Sequence, residues 1–110
     1  MKSKNAIPDG DRLLATLAAL SSPHRLRIVA ALQAGGRNYV SQLARELGIS
    51  RPLLHLHLQK LEDAGLVVSK LEVAEDGKAR NYFETSGFAI ELTPAAVALA
   101  AQSLSINPET

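Results

Sequence analysis

Apolar residues recur along this chain with two different periods, and the predicted local structure changes where the period changes. Leu13, Leu14, Leu17, Ala18 and Leu20 keep the spacing of a helix that Asp9 or Asp11 can cap. Ser22-Pro23 opens a second helix by a cap followed by proline, carried by Leu26, Val29, Ala30 and Gln33 and closed in a Gly-Gly stop at Gly35-Gly36. From Ser41 to Leu47 the apolar positions Leu43, Ala44 and Leu47 form one stripe of a short helix. Gly48 follows where a left-handed cap is wanted, and Ile49 can close the turn against the core. Ser50 then offers its hydroxyl to the free N–H groups of a further helix from Arg51 to Ala64, with Pro52 in its first turn. Gly48, Ile49 and Ser50 are the whole connection, which is the length of a helix-turn-helix.

After Gly65 the period shortens to two. Leu66 to Ala74 reads as a strand with Val67, Leu71 and Val73 on one face, and Asn81 to Thr85 as a second. Between them AEDGKAR carries Asp76-Gly77, a strong hairpin signal. A hairpin directly after a helix-turn-helix is a wing. Thr93-Pro94 then starts a last helix, AAVALAAQSL. The predicted fold is mainly α with a small β-hairpin: a single winged helix-turn-helix domain over residues 1–110, with about five helices and a two-stranded wing. Residues 1–8 and 105–110 are expected to be flexible tails.

The helix at 51–64 has two unlike faces. Stepping about 100° per residue, Leu54, Leu58 and Leu61 stack in a narrow core stripe, flanked by Leu53, His57 and Ala64. The outer side carries Arg51, Pro52, His55, Leu56, Gln59 and Asp63. This is the face a recognition helix turns to the major groove. Arg51 suits guanine, Gln59 adenine, and Leu56 the methyl of thymine, although Leu56 is equally accounted for as a surface leucine or one covered by another element. Ser50, Pro52 and His55 lie at the same end. Arg45, Lys60, Lys78 and Arg80 are the expected phosphate contacts, the last two at or just past the wing tip. His55 and His57 stand two apart, about 200° round the helix, and cannot share a metal. His57 is expected to be a hydrogen-bonded structural histidine, while His24 and His55 lie off the core face. If either paired with phosphate in its charged form, binding would weaken as pH rises through about 6.5.

Charge sharpens this picture. The net charge is only +1, yet residues 21–60 hold six basic residues against Glu46 alone, a local +5 that leaves −4 elsewhere. Such polarity suits a protein that turns one side to a polyanion. With no Cys, disulfides, thiolate metal sites and cysteine catalysis are excluded. No apolar run approaches the ~18 residues of a membrane span, no signal peptide pattern is seen, and a cytoplasmic protein with no membrane partner is expected. No Ser/His/carboxylate spacing or Gly-rich phosphate loop suggests an enzyme, and no cofactor is expected.

The terminal helices raise a packing problem. AAVALAAQSL is apolar on almost every side, and a helix apolar all round must be buried. A domain of 110 residues has little room to bury both ends. Leu13, Leu14, Leu17, Val97, Leu99, Ala100 and Leu104 are therefore expected to pack against a second copy in a two-fold dimer, the alternative being that the two helices pack on each other within one chain.

The strings LSSPHRLRIVAAL, QLARELGIS, HLHLQKLEDAGLV and EDGKARNYF, in this order between Leu20 and Phe83, resemble the ArsR-type winged-helix transcriptional regulators. The resemblance implies a homodimer on a partly palindromic operator, usually a repressor, with terminal helices at the dimer interface. Metal-sensing members carry Cys-x-Cys before the turn, where this chain has Tyr39 and Ser41, and others use His and carboxylates on the last helix, where residues 93–104 have none. No metal site is expected. Tyr39, Phe83 and Phe88 are candidates to line an apolar effector pocket, and better candidates for ordinary core. The residues identify no small-molecule effector. The leading expectation is a sequence-specific DNA-binding repressor. The alternative is a winged-helix protein-interaction module without DNA, which the scarcity of aromatic anchors disfavours.

Overall fold

A computed structural model describes residues 9–105. Its elements follow the order α1 (Gly10–Leu20), α2 (Pro23–Gly35), β1 (Asn38–Tyr39), α3 (Val40–Leu47), α4 (Arg51–Asp63), β2 (Val67–Val73), β3 (Ala79–Thr85) and α5 (Pro94–Ala101). Each predicted cap is used. Side chains of Asp9, Ser22, Ser50 and Thr93 accept from the backbone N–H groups of Arg12, Arg25, Leu53 and Ala96, satisfying donors that no helical carbonyl can reach. Gly48 ends α3 at φ 69°, where a side chain would be strained, and the Ile49 N–H reaches the Ala44 carbonyl at 3.1 Å. That closure sets the angle between α3 and α4.

The sheet has three antiparallel strands in the order β1-β3-β2, one more than the wing predicted from sequence. Asn38 pairs with Phe83 and Tyr39 with Tyr82. Two residues are too few to show a period, so β1 is invisible to pattern reading. β3 also begins two residues earlier than expected, because Val73 pairs with Ala79 across a tighter turn.

The core is one cluster behind the helix-turn-helix. Ile28, Leu32, Leu43, Leu54, Leu58, Leu61 and Val67 are fully enclosed, with Leu66 and Phe83 beside them and Phe88 packed partly against them. Phe83 and Phe88 thus belong to the core. Tyr39 belongs neither to it nor to a pocket at the terminal helices: its ring stands edge-on to Tyr82 on the outer face of the sheet, centroids 5.6 Å apart.

The terminal helices pack on each other within one chain. Gly10 lets them touch, since a Cβ there would meet the Ala100 carbonyl and lie 2.8 Å from Leu104 Cγ. The Gly10 N–H donates to Ser103 Oγ at 2.8 Å, and the Ser105 N–H donates to Asp11 Oδ1 at 3.1 Å. Ser105, expected in a flexible tail, is thereby tied to α1; residues 1–8 and 106–110 lie outside the described part. Leu13 and Ala100, expected at a dimer interface, are already buried by packing within the chain. Leu14, Leu17, Val97, Leu99 and Leu104 stay exposed, between 39% and 53% accessible. Internal packing therefore leaves an apolar face of α1 and of the C-terminal segment uncovered by the described residues.

Candidate nucleic-acid interface

The outer face of α4 is held rigid from behind. Leu54, Leu58 and Leu61 are at zero exposure, while Leu56, two residues from two of them, is 55% exposed. Among the described residues no other element covers Leu56. Ser50, Arg51, Pro52, His55 and Gln59 are exposed with it, and Arg45 is exposed on α3. Gln59 is engaged along the helix, its Nε2 donating to Asp63 Oδ1 at 3.1 Å.

Lys60 is exposed but turned to a different side: it lines a cleft between α1 and α4 with Ala15, Ala18, Ala19, Arg25, Asp63 and Ala64. The basic cluster read along the sequence also divides in space. Arg25 is a structural clamp, its Nη1 donating to the Ala18 and Ala19 carbonyls at 3.3 and 3.2 Å and its Nε to His57 Nδ1 at 3.2 Å. Arg37 pairs with Glu72 at 2.7 Å and lies 4.4 Å over the Tyr82 ring, on the outer sheet face. Arg27, Arg45, Arg51 and Lys60 remain without an ion pair among the described residues.

His57 fulfils the structural role expected of it. Its ring sits 5.1 Å from that of His24, so His24 is a neighbour of this cluster rather than an isolated outward group. Burial first, then the Arg25 guanidinium and His24, hold the His57 imidazole below its ordinary value of 6.5. An unfolded chain therefore takes up a proton as pH falls below about 6.5 before the folded chain does. Folding stability is full above that pH and declines below it, toward the depressed folded value. Urea unfolding at pH 7.5 and pH 5.5 should show the loss, and His57→Gln should remove that share of the pH dependence. Equal pH dependence in both proteins would contradict the assignment.

The wing meets the helix-turn-helix at a second cleft, of about 260 Å³, lined by Tyr39, Val40, Ser41, Arg51, Arg80 and Asn81. Sequence reasoning placed Arg51 and Arg80 at the interface but not beside each other. It missed Tyr39, Ser41 and Asn81 there, because only the β1–β3 pairing brings them in. Arg80 is partly enclosed, with its guanidinium 4.9 Å over the Tyr39 ring, whereas Lys78 is fully outward. Among the described residues no group of three or more His, Asp or Glu is placed to hold a metal ion, and no helix is long and apolar enough to cross a membrane.

A family model described as a helix-turn-helix domain matches residues 20–70. A helix-turn-helix-type transcriptional regulator of Methanocaldococcus jannaschii is 43% identical over 70 residues, which are 64% of this chain and 72% of that one. Among solved structures, a homodimeric winged helix-turn-helix DNA-binding domain of a possible ArsR-family regulator from Mycobacterium bovis superposes with a TM-score of 0.60 at 25% identity, over 84% of this chain and 74% of that one. A transcriptional regulator homologue from Pyrococcus horikoshii gives 0.56 at 25% identity, over 86% and 88% of the two chains.

Proposed function

Because the chain belongs to the ArsR-type winged helix-turn-helix transcriptional regulators, which are not enzymes, we propose that it acts as a homodimeric, sequence-specific DNA-binding repressor. The observation that carries this reading is the contrast within α4: one face locked in the core, the other bare, polar and led by Arg51. Each subunit sets residues 51–64 in a major groove of a partly palindromic operator, with half-sites about 34 Å apart. Arg51 reads guanine, Gln59 exchanges Asp63 for adenine, and Leu56 meets a thymine methyl. Ser50, Pro52 and His55 border that contact. Arg45 and the wing residues Lys78 and Arg80 hold phosphates, with the wing at 74–80 along the backbone or the adjacent minor groove, while Lys60, turned to the α1–α4 cleft, drops out of this set.

The dimer follows from the apolar surface of α1 and α5. Leu14, Leu17, Val97, Leu99 and Leu104 are buried against a second copy, as the homodimeric Mycobacterium bovis relative makes natural. Arg51→Ala should cost about 1–3 kcal/mol on the operator and relax preference at one base pair of each half-site. Lys78→Ala should instead weaken binding to all duplexes and flatten the salt slope by about one. Anisotropy titrations across operator variants at two salt concentrations separate the two. An Arg51→Ala protein with unchanged base preference would refute the base-reading role.

A further inference from the structure

Arg80 is not a free cation waiting for DNA. Its Nη2 and Nη1 donate to the two carboxylate oxygens of Asp76 at 2.8 and 3.2 Å, an end-on pair that closes across the wing turn. Asp76 is itself fixed: its Oδ1 accepts the Lys78 N–H at 3.0 Å, and the turn is tied by Gly77 N–H to the Ala74 carbonyl at 2.9 Å and Ala74 N–H to the Lys78 carbonyl at 2.8 Å. These bonds hold the Asp76 carboxyl below the usual carboxylate range, so it stays charged. Arg80 in turn lies over Tyr39 at the edge of the cleft that Arg51 shares.

A carboxylate with two oxygens presented to a guanidinium has the same geometry as the two non-bridging oxygens of a phosphodiester. We propose that Asp76 is an internal stand-in for a DNA phosphate, latching Arg80 beside the Arg51 cleft until a backbone phosphate displaces it. The inference rests on the reading of this chain as DNA-binding. It assigns the cleft between Tyr39, Ser41, Arg51 and Arg80 to a phosphodiester of the bound duplex. The wing tip, with Glu75 and Asp76 against Lys78 and Arg80, has no net formal charge, and the closed latch keeps the Arg80 guanidinium on Asp76. Nonspecific attraction through Arg80 is thereby suppressed, and only a duplex seated on α4 brings a phosphate near enough to exchange.

The test is a cycle of four proteins: wild type, Asp76→Asn, Arg80→Ala and the double variant. Asparagine keeps both the hairpin preference before glycine and an oxygen for the Lys78 N–H, so the turn persists. Binding to a random-sequence duplex is followed by anisotropy over a range of salt. Asp76→Asn should tighten binding by up to about fivefold at low salt, the strength of a well-formed exposed ion pair, and steepen the salt slope by about one. In the Arg80→Ala background the same substitution should change affinity less than twofold. An equal gain in both backgrounds would make Asp76 a general repulsive charge and overturn the latch. Weaker binding by Asp76→Asn would make Asp76 a support for Arg80 and overturn it too. No binding of wild type to any duplex at low salt would instead overturn the DNA-binding reading, and the latch with it.

Discussion

Leu58→Ala is expected to remove about 3 kcal/mol of folding stability, while Leu56→Ala two residues away should change it by no more than about 0.5 kcal/mol. Leu58 has no exposure and sits among Ile28, Leu32, Leu43, Leu54 and Leu61. Truncating it deletes three carbons from a packed cluster and leaves a cavity that the helices cannot collapse to fill. A small domain has only about 5–15 kcal/mol in hand. Leu56, at 55% exposure, packs little against the described residues, yet the proposed thymine contact makes Leu56→Ala weaken operator binding. Urea unfolding and operator titration of both variants therefore give opposite orders of severity. Operator affinity left unchanged by Leu56→Ala would remove the thymine contact, and a larger stability loss for Leu56→Ala than for Leu58→Ala would mean that the faces of α4 have been exchanged.

Replacing Leu14 and Leu17 together by glutamate should convert the protein to a monomer and lower operator affinity by about 10²–10⁴, the avidity lost when two half-sites are no longer gripped at once. Both residues are exposed within the chain, so folding of the monomer is not at stake. Their carboxylates would instead be desolvated against a partner helix. Sedimentation gives the mass and anisotropy the affinity. An unchanged mass, with wild type sedimenting as a dimer, would place the interface elsewhere.

Most of the helical framework was legible because its signals are local. Cap residues, Pro23, Pro52 and Pro94 in the first turns, and Gly48 between α3 and α4 act within a few residues of themselves. The stripe Leu54, Leu58, Leu61 likewise names its own buried face. What escaped the sequence is what depends on distant partners. The β1 strand exists only because Asn38 and Tyr39 find Phe83 and Tyr82, some forty residues on. Arg25 counts as basic surface in a charge tally but spends its donors on α1 carbonyls and His57. Gly10, unremarked in the pattern, decides how closely α1 and α5 approach. The Asp76–Arg80 pair did carry a signal, four residues apart across a hairpin turn, but Arg80 reads alone as a phosphate contact until the carboxylate is seen holding it.

Selection from a pool of random-sequence duplexes tests the central claim most directly. The purified protein should enrich a motif of two half-sites related by a dyad, their centres about 34 Å apart, preferred at least about a thousandfold over the starting pool. Retention of no duplex at low salt, or retention without any enriched motif, would contradict sequence-specific recognition by α4.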